Sequence, residues 1–276
     1  MNKPLLYIEN SIQVKEDFKY VVEKYFNLIN WKDDCNILDV GCGPGNITYE
    51  SLFPLLPKTL NSLVGIDLST HFIDYAKSHY QKDQRIQYHH LDITTDNIPH
   101  EFEGNFDNIF SYCLQFIKNQ KAAIRNMYKM LKPGREVFLN FLGHWTAMEI
   151  YSSLESDKKW KPFLKPDKLL SPTHTDKQAE KYLEELLENC GFTVRLSHKV
   201  EKIWIYPQKM FTDIMAAIDT FGVPSSMLEE FGTDIMKFMQ NRGLVHTNDN
   251  GEVVVHYPYT LLIALASKPL RNEMDK

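Results

Sequence analysis

Cysteine is scarce in this sequence. Four cysteines in 276 residues, Cys35, Cys42, Cys113 and Cys190, are too few and too far apart for a disulfide-stapled scaffold, and none forms a CxxC pair. A reduced compartment is the natural setting for such usage. Long apolar runs are also lacking. The opening MNKPLLYIENSIQ holds no apolar core of secretory-leader length, and no stretch approaches the ~20 apolar residues of a membrane span. The expectation is a cytoplasmic protein. Nor does one sign of charge dominate: 31 Lys and Arg stand against 36 Asp and Glu, a net charge of −5, with the lysines scattered. A nucleic-acid binder concentrates basic residues on one surface, so no nucleic-acid partner is expected. Glycine and proline, at 12 and 13 residues, are too sparse to build a flexible linker or a low-complexity tract.

What is present is apolar material, 43% of the chain, enough for one large core. The expected organisation is a single domain over residues 1–276, with a core at 36–142 and covering segments at 1–35, 143–175 and 206–250. Apolar runs of strand length alternate with helical segments through the first half, which is the pattern of parallel βαβ units. Strands are expected at 36–40, 62–67, 86–91, 106–111 and 136–142, and helices near 46–55, 69–80 and 121–131. Ser69 reads as a helix N-cap, and Lys132-Pro133-Gly134 as a helix stop and turn. After Leu142 the rhythm is lost until a helix over 176–189, a strand over 192–205, a Met-rich helical stretch over 208–242 and a last strand over 252–267. The fold class that follows is α/β, a doubly wound, seven-stranded, mostly parallel sheet with helical insertions.

The segment Ile37-Leu38-Asp39-Val40-Gly41-Cys42-Gly43-Pro44-Gly45 sets a glycine-rich turn between an apolar strand and a helix. Glycines there let the backbone turn sharply and approach a ligand closely. Asp67 ends the next strand, where a carboxylate can accept from both hydroxyls of a ribose. Asp39 narrows the choice of cofactor. A carboxylate at that point would repel a dinucleotide's pyrophosphate, whereas it suits a cofactor bearing an ammonium and a sulfonium. Leu91-Asp92-Ile93 closes the third strand with an acid flanked by apolar residues, able to accept from an adenine amino group while an apolar neighbour packs on the ring; the alternative is a loop Asp capping the next helix. All three acids fall at the carboxyl edge of the expected sheet, where ligands bind in this architecture.

The blocks DVGCGPGN, VGIDLS, HLDI, FDNIFSYCLQFI and LKPGREVFLNF resemble those of class I S-adenosylmethionine-dependent methyltransferases. The resemblance implies S-adenosyl-L-methionine as cofactor, converted to S-adenosyl-L-homocysteine. It places Asp39, Gly41 and Gly43 at the methionine end with Cys42 beside them, and Asp67 with Leu68 at the ribose. Asp92 and Ile93 fall at the adenine, and Ser111 with Leu114 under the sulfonium. Over nearly its whole length the chain also resembles the insect juvenile hormone acid O-methyltransferases. Tyr7, Asn10-Ser11-Ile12-Gln13, Trp31-Lys32, Phe141-Leu142-Gly143-His144, Trp160, Ser171-Pro172 and His174 carry that likeness. It implies carboxyl methylation of a sesquiterpenoid acid, farnesoic acid or a juvenile hormone acid, giving the methyl ester.

The chemistry agrees. A carboxylic acid, with a pKa of roughly 4, is already the nucleophile at neutral pH, so the enzyme needs alignment and dryness rather than a strong base. The expected partner is a small apolar carboxylic acid held between aromatic walls, with a homodimer left open. By resemblance Gln13 holds the carboxylate, and read without that likeness it is a solvated helix residue. The family's second donor is a Trp after the fourth strand, preceded by His; this chain has Gln115-Phe116 there. Phenylalanine has no N–H, so a donor is missing unless Gln115 replaces it. An alternative reading therefore is a weakly active or non-catalytic relative that binds S-adenosylmethionine; another is a methyltransferase for a different fatty or small acid, or for an amine. Leu114, Phe116, His144 and Trp145 complete the candidate substrate contacts, with His144 also readable as a turn cap. His89 and His90 sit consecutively on a strand, pointing to opposite faces, so no metal site is expected. Asp107 is read as structural.

Overall fold

The computed structural model describes residues 3–163, 171–218 and 223–270. Its parallel strands form where the apolar runs stand: β1 (Asn36–Val40), β2 (Ser62–Asp67), β3 (Ile86–His90) and β4 (Phe106–Ser111). β4 is buried throughout, as a strand covered by helices on both faces must be. β5 (Leu131–Trp145), β6 (Thr193–Pro207), β7 (Val245–Thr247) and β8 (Val253–Ser267) complete the sheet in the order β3-β2-β1-β4-β5-β8-β6, with the short β7 paired to β8. β8 runs antiparallel to both β5 and β6. The seven expected strands are the seven of this path; the three-residue β7 is an eighth.

The helices are α1 (Pro4–Asn10), α2 (Ile12–Tyr25), α3 (Thr70–Tyr80), α4 (Gln120–Met130), α5 (Thr146–Glu155), α6 (Ala179–Glu188), α7 (Gln208–Ala217) and α8 (Leu228–Asn241). Ser69 caps α3 as expected, its hydroxyl accepting from Phe72 N–H at 3.3 Å. The segment expected as a helix over 46–55 forms a wide-turned stretch, Thr48–Leu52, and then a tight one, Phe53–Leu55. Two expectations are corrected. Lys132-Pro133-Gly134 ends α4 but lies within β5, with Gly134 at φ +73° beside a register shift against β4. The segment after Leu142 is not irregular throughout, since β5 runs on to Trp145 and leads straight into α5. The stretches 164–170 and 219–222, within two of the segments expected to cover the site, lie outside the described residues.

Strand order reverses between β1 and β4, and a crevice opens there at the carboxyl ends of an α/β sheet. The glycine turn follows β1, and Leu114, Gln115 and Phe116 follow β4, so both edges of the crevice carry residues singled out in the sequence. At the opposite end Asp107 accepts from Asn36 N–H at 3.0 Å and from Lys132 at 2.6 Å, the structural role expected of it.

Candidate active site

Gly41 turns the chain out of β1 at φ +76°, and its N–H donates to Ile66 at 2.7 Å. A Cβ on Gly41 would lie 2.3 Å from Cys113 Cβ, so only glycine lets the loops after β1 and β4 close on each other. Asp67 reaches across this turn, accepting from Gly43 N–H at 3.0 Å and from Ser69 N–H at 2.8 Å. Asp39 accepts from the Thr48 hydroxyl at 2.6 Å. Burial pushes Asp39 up to about 6 despite the Thr48 bond, and nearby Asp67 adds to the rise. Asp67 is raised too, chiefly by burial. Two crowded, desolvated carboxylates form a site that a cation relieves.

Beside them lies a cleft of about 580 Å³ lined by Asp67, Leu68, Asp92, Ile93 and Phe116 among others. A smaller cavity, lined by Asp39, Gly41, Cys42, Gly43 and Asn46, shares Asp67 and Phe116 with it. Asp92 also braces its own loop, accepting from the Thr94 N–H at 2.8 Å and the Thr94 hydroxyl at 2.7 Å; no helix starts there, so it caps a turn rather than a helix, and it lines the cleft as well. Ser111 is buried with its hydroxyl 3.3 Å from Cys113 Sγ. Asn46 was not singled out in the sequence, although it directly follows the glycine turn. Its side chain is 1% exposed and its Nδ2 has no partner among the described residues. An unpaired amide donor beside two carboxylates fits the zwitterionic end of an amino-acid-bearing nucleoside such as S-adenosylmethionine.

A third cavity adjoins the second through Tyr7, Val14, Tyr112 and Phe116, and its walls are predominantly apolar: Leu142, Trp145, Phe211, Ile214, Met215 and Ile218. Gln13 and Gln115 face it from the polar side. Phe116 borders all three cavities and marks their junction. Gln13 is not a solvated helix residue. It is buried on α2, accepting from Tyr206 Oη at 2.6 Å and donating through Nε2 to Asp17 at 3.2 Å. Asp17, fully buried and missed in the sequence, also accepts from Lys202, from Tyr259 at 2.8 Å and from Tyr112 at 3.5 Å. This cluster fastens α2 to β6 and β8. No single-sequence signal marks it, because its partners other than Gln13 lie 95 to 242 residues away.

Other expectations are redirected. Leu114 heads the tight turn Leu114–Phe116 but points into the core, fully buried with Ile124 and Phe141. Residues of a 3₁₀ turn fan out by a third of a revolution, so Phe116 takes the cavity side and Leu114 the core side. His144 does not line the third cavity; its ring stacks on His174, its Nδ1 lies 3.3 Å from the His174 carbonyl oxygen and its Nε2 3.2 Å from Glu149. Among the described residues there is no group of three or more His, Cys, Asp or Glu side chains that could hold a metal ion.

The comparisons agree with this geometry. A methyltransferase-domain family matches residues 37–134, the segment from β1 through the start of β5. The phosphoethanolamine N-methyltransferase 2 of Haemonchus contortus, solved with S-adenosyl-L-methionine, shares the fold at a TM-score of 0.52 and 18% identity, over 92% of this chain and 52% of that one. Fold, glycine turn and strand-end acids together define a class I S-adenosylmethionine-dependent methyltransferase. Juvenile hormone acid O-methyltransferase of Drosophila melanogaster is 31% identical over 97% of this chain and 93% of its own length. The Bombyx mori protein of the same name is 30% identical over 97% and 98%. The chain belongs to the juvenile hormone acid O-methyltransferase family.

Proposed function

We propose that this methyltransferase esterifies the carboxylate of a long apolar acid, with a sesquiterpenoid acid as its substrate. The observation that carries the reading is the third cavity: apolar walls, a buried amide at Gln13, and a junction at Phe116 with the cleft assigned to the cofactor. In this reading Asp67 accepts from the ribose, Asp92 from the adenine, Asp39 faces the ammonium, and Asn46 donates to the amino-acid carboxylate. When bound, S-adenosylmethionine supplies an electrophilic methyl group on a sulfonium.

The acid arrives ionised, so no residue has to remove a proton. Gln13 has two amide N–H groups; Asp17 takes one, which leaves the other for the substrate carboxylate. Asp17 and Tyr206 hold that amide from opposite ends and set which atom faces the acid. The aromatic walls exclude water and hold the reacting oxygen toward the Phe116 junction. At about 50 Å³ the cavity is far below the ~300 Å³ of a typical ligand site, so its walls part when the acid enters. Met215, adaptable in shape, and α1, which packs on α7, form that movable side.

The covering segments around 1–35, 143–175 and 206–250 act in this proposal as a cap within one domain. All four cysteines are free, which accords with a cytoplasmic setting. Incubating the protein with S-adenosylmethionine and farnesoic acid, with detection of the methyl ester by mass, tests the function. Turnover is expected; tight S-adenosylhomocysteine binding without turnover of farnesoic or any fatty acid would refute the reading.

A further inference from the structure

We infer that Trp145 is the second donor to the substrate carboxylate, taking the part that Phe116 cannot play. The inference rests on the acid-methylating reading above and deepens it. Trp145 is 3% exposed, lines the third cavity, and its indole Nε1 has no hydrogen-bond partner among the described residues. A buried N–H left unpaired costs stability, so its retention beside a cavity points to a ligand that pairs it. Several other polar groups on the wall are already engaged. The hydroxyls of Tyr206, Tyr112 and Ser11 lie within reach of Gln13, Asp17 and the Ile8 carbonyl. Gln115 gives one amide N–H to the Tyr112 carbonyl at 3.2 Å and keeps a second, but the atom it leaves wholly unpaired is Oε1, an acceptor.

Position supports the assignment. Trp145 meets Phe116 edge to face, so its indole stands beside the residue where the family places its own Trp. Its backbone is tied down by pairing with Tyr259 across β8 and by its N–H, 3.5 Å from His174 Nδ1. Burial and then His144 hold His174 down at about 4, so its ring is neutral at neutral pH, and the tautomer with its proton on Nε2 leaves Nδ1 to accept this N–H. The indole is thus presented from the end of a strand, a rigid mount for a group that must orient an anion.

Trp145→Phe keeps an aromatic ring against Phe116 and removes only the donor. With farnesoic acid as the probe, kcat/KM is expected to fall about 10- to 100-fold, mostly through KM, with S-adenosylhomocysteine affinity unchanged. Binding of farnesol, the neutral isostere, should change less than about twofold, a contrast that a merely structural role would not produce. Adding Phe116→Trp to Trp145→Phe should restore at least part of the loss. Should the variant not fold, the indole ¹⁵N–H resonance of Trp145 in the native chain gives the answer. With S-adenosylhomocysteine present, titration with farnesoate is expected to shift it downfield. An active native enzyme whose Trp145→Phe variant keeps kcat/KM, or whose indole resonance ignores bound farnesoate, overturns this inference alone. A native protein that neither binds nor methylates farnesoate or dodecanoate overturns the acid-methylating reading together with it.

Discussion

Phe116 and Trp145 meet at right angles with ring centroids 5.5 Å apart, at the junction between an apolar cavity and the cleft assigned to the cofactor. Edge-to-face contact fixes both rings with modest gain in energy, of order 1 kcal/mol, but a large gain in definition of the wall. The substitution that removed a donor after β4 therefore sits against an indole from β5, and the two positions share one piece of surface.

Phe116→Trp alone should accordingly do little. The native cavity already holds an unpaired indole donor, and a larger ring must fit into a space of only about 50 Å³. We expect kcat/KM for farnesoic acid to change by less than about threefold, measured by methyl ester formation. A gain of tenfold or more would mean that the native site lacks a working second donor.

The legible part of this site was the part built from consecutive residues. β1 and β2 are short apolar runs closed by glycine or acid, and Leu91-Asp92 follows β3, so Asp39, Gly41, Asp67 and Asp92 are placed at one sheet edge by the sequence alone. The helix α5 was missed because aromatic residues crowd the segment after Leu142 without a clean period. Asp17 and Asn46 were missed for a different reason. Their importance comes from burial and missing or distant partners, and a single polar residue in a helix or turn carries no mark of either. Leu114 and Phe116, two residues apart, look equally eligible in sequence; only the turn geometry sends one inward and the other to the cavity.

Gln13→Leu removes both arms of a buried amide. Tyr206 loses its acceptor and Asp17 one of its donors, so thermal or chemical unfolding should show a loss of about 1–3 kcal/mol. At temperatures where the variant stays folded, kcat/KM for the acid should fall by about 10-fold or more while S-adenosylhomocysteine affinity is retained. Equal losses in cofactor affinity would indicate that Gln13 supports the whole site rather than the acid.

Asp39 should make cofactor binding release a proton. Its native value of about 6 lies above that of an unfolded Asp, so the ligand-free fold binds the extra proton between those values and loses stability as pH rises through that window. A cation beside it favours the ionised form. Affinity for S-adenosylhomocysteine, which keeps the ammonium, should rise with pH up to about 6 and then level off. Calorimetry at pH 5.5 in buffers of different ionisation enthalpy measures the released proton, and Asp39→Asn should abolish the release. A pH-independent affinity between 5 and 7 would separate Asp39 from the ammonium.

The Asp17 cluster carries the last prediction. Asp17 is fully buried, whereas the Lys202 side chain keeps 21% of its exposure, so removing one partner harms the fold unequally. Lys202→Met strands a buried carboxylate with only Tyr259, Gln13 and Tyr112 left to satisfy it. Breaking such a pair costs about 3–5 kcal/mol when both charges are buried, and the partial exposure of Lys202 lowers the expectation to about 2–4 kcal/mol. Asp17→Asn removes the charge but keeps an acceptor for the two tyrosines. Because the cost of Lys202→Met is mainly the uncompensated charge, the double variant Asp17→Asn with Lys202→Met should be more stable than Lys202→Met alone. Urea unfolding of the four proteins in this cycle measures the coupling, and additive losses would show that the pair contributes nothing beyond its separate contacts.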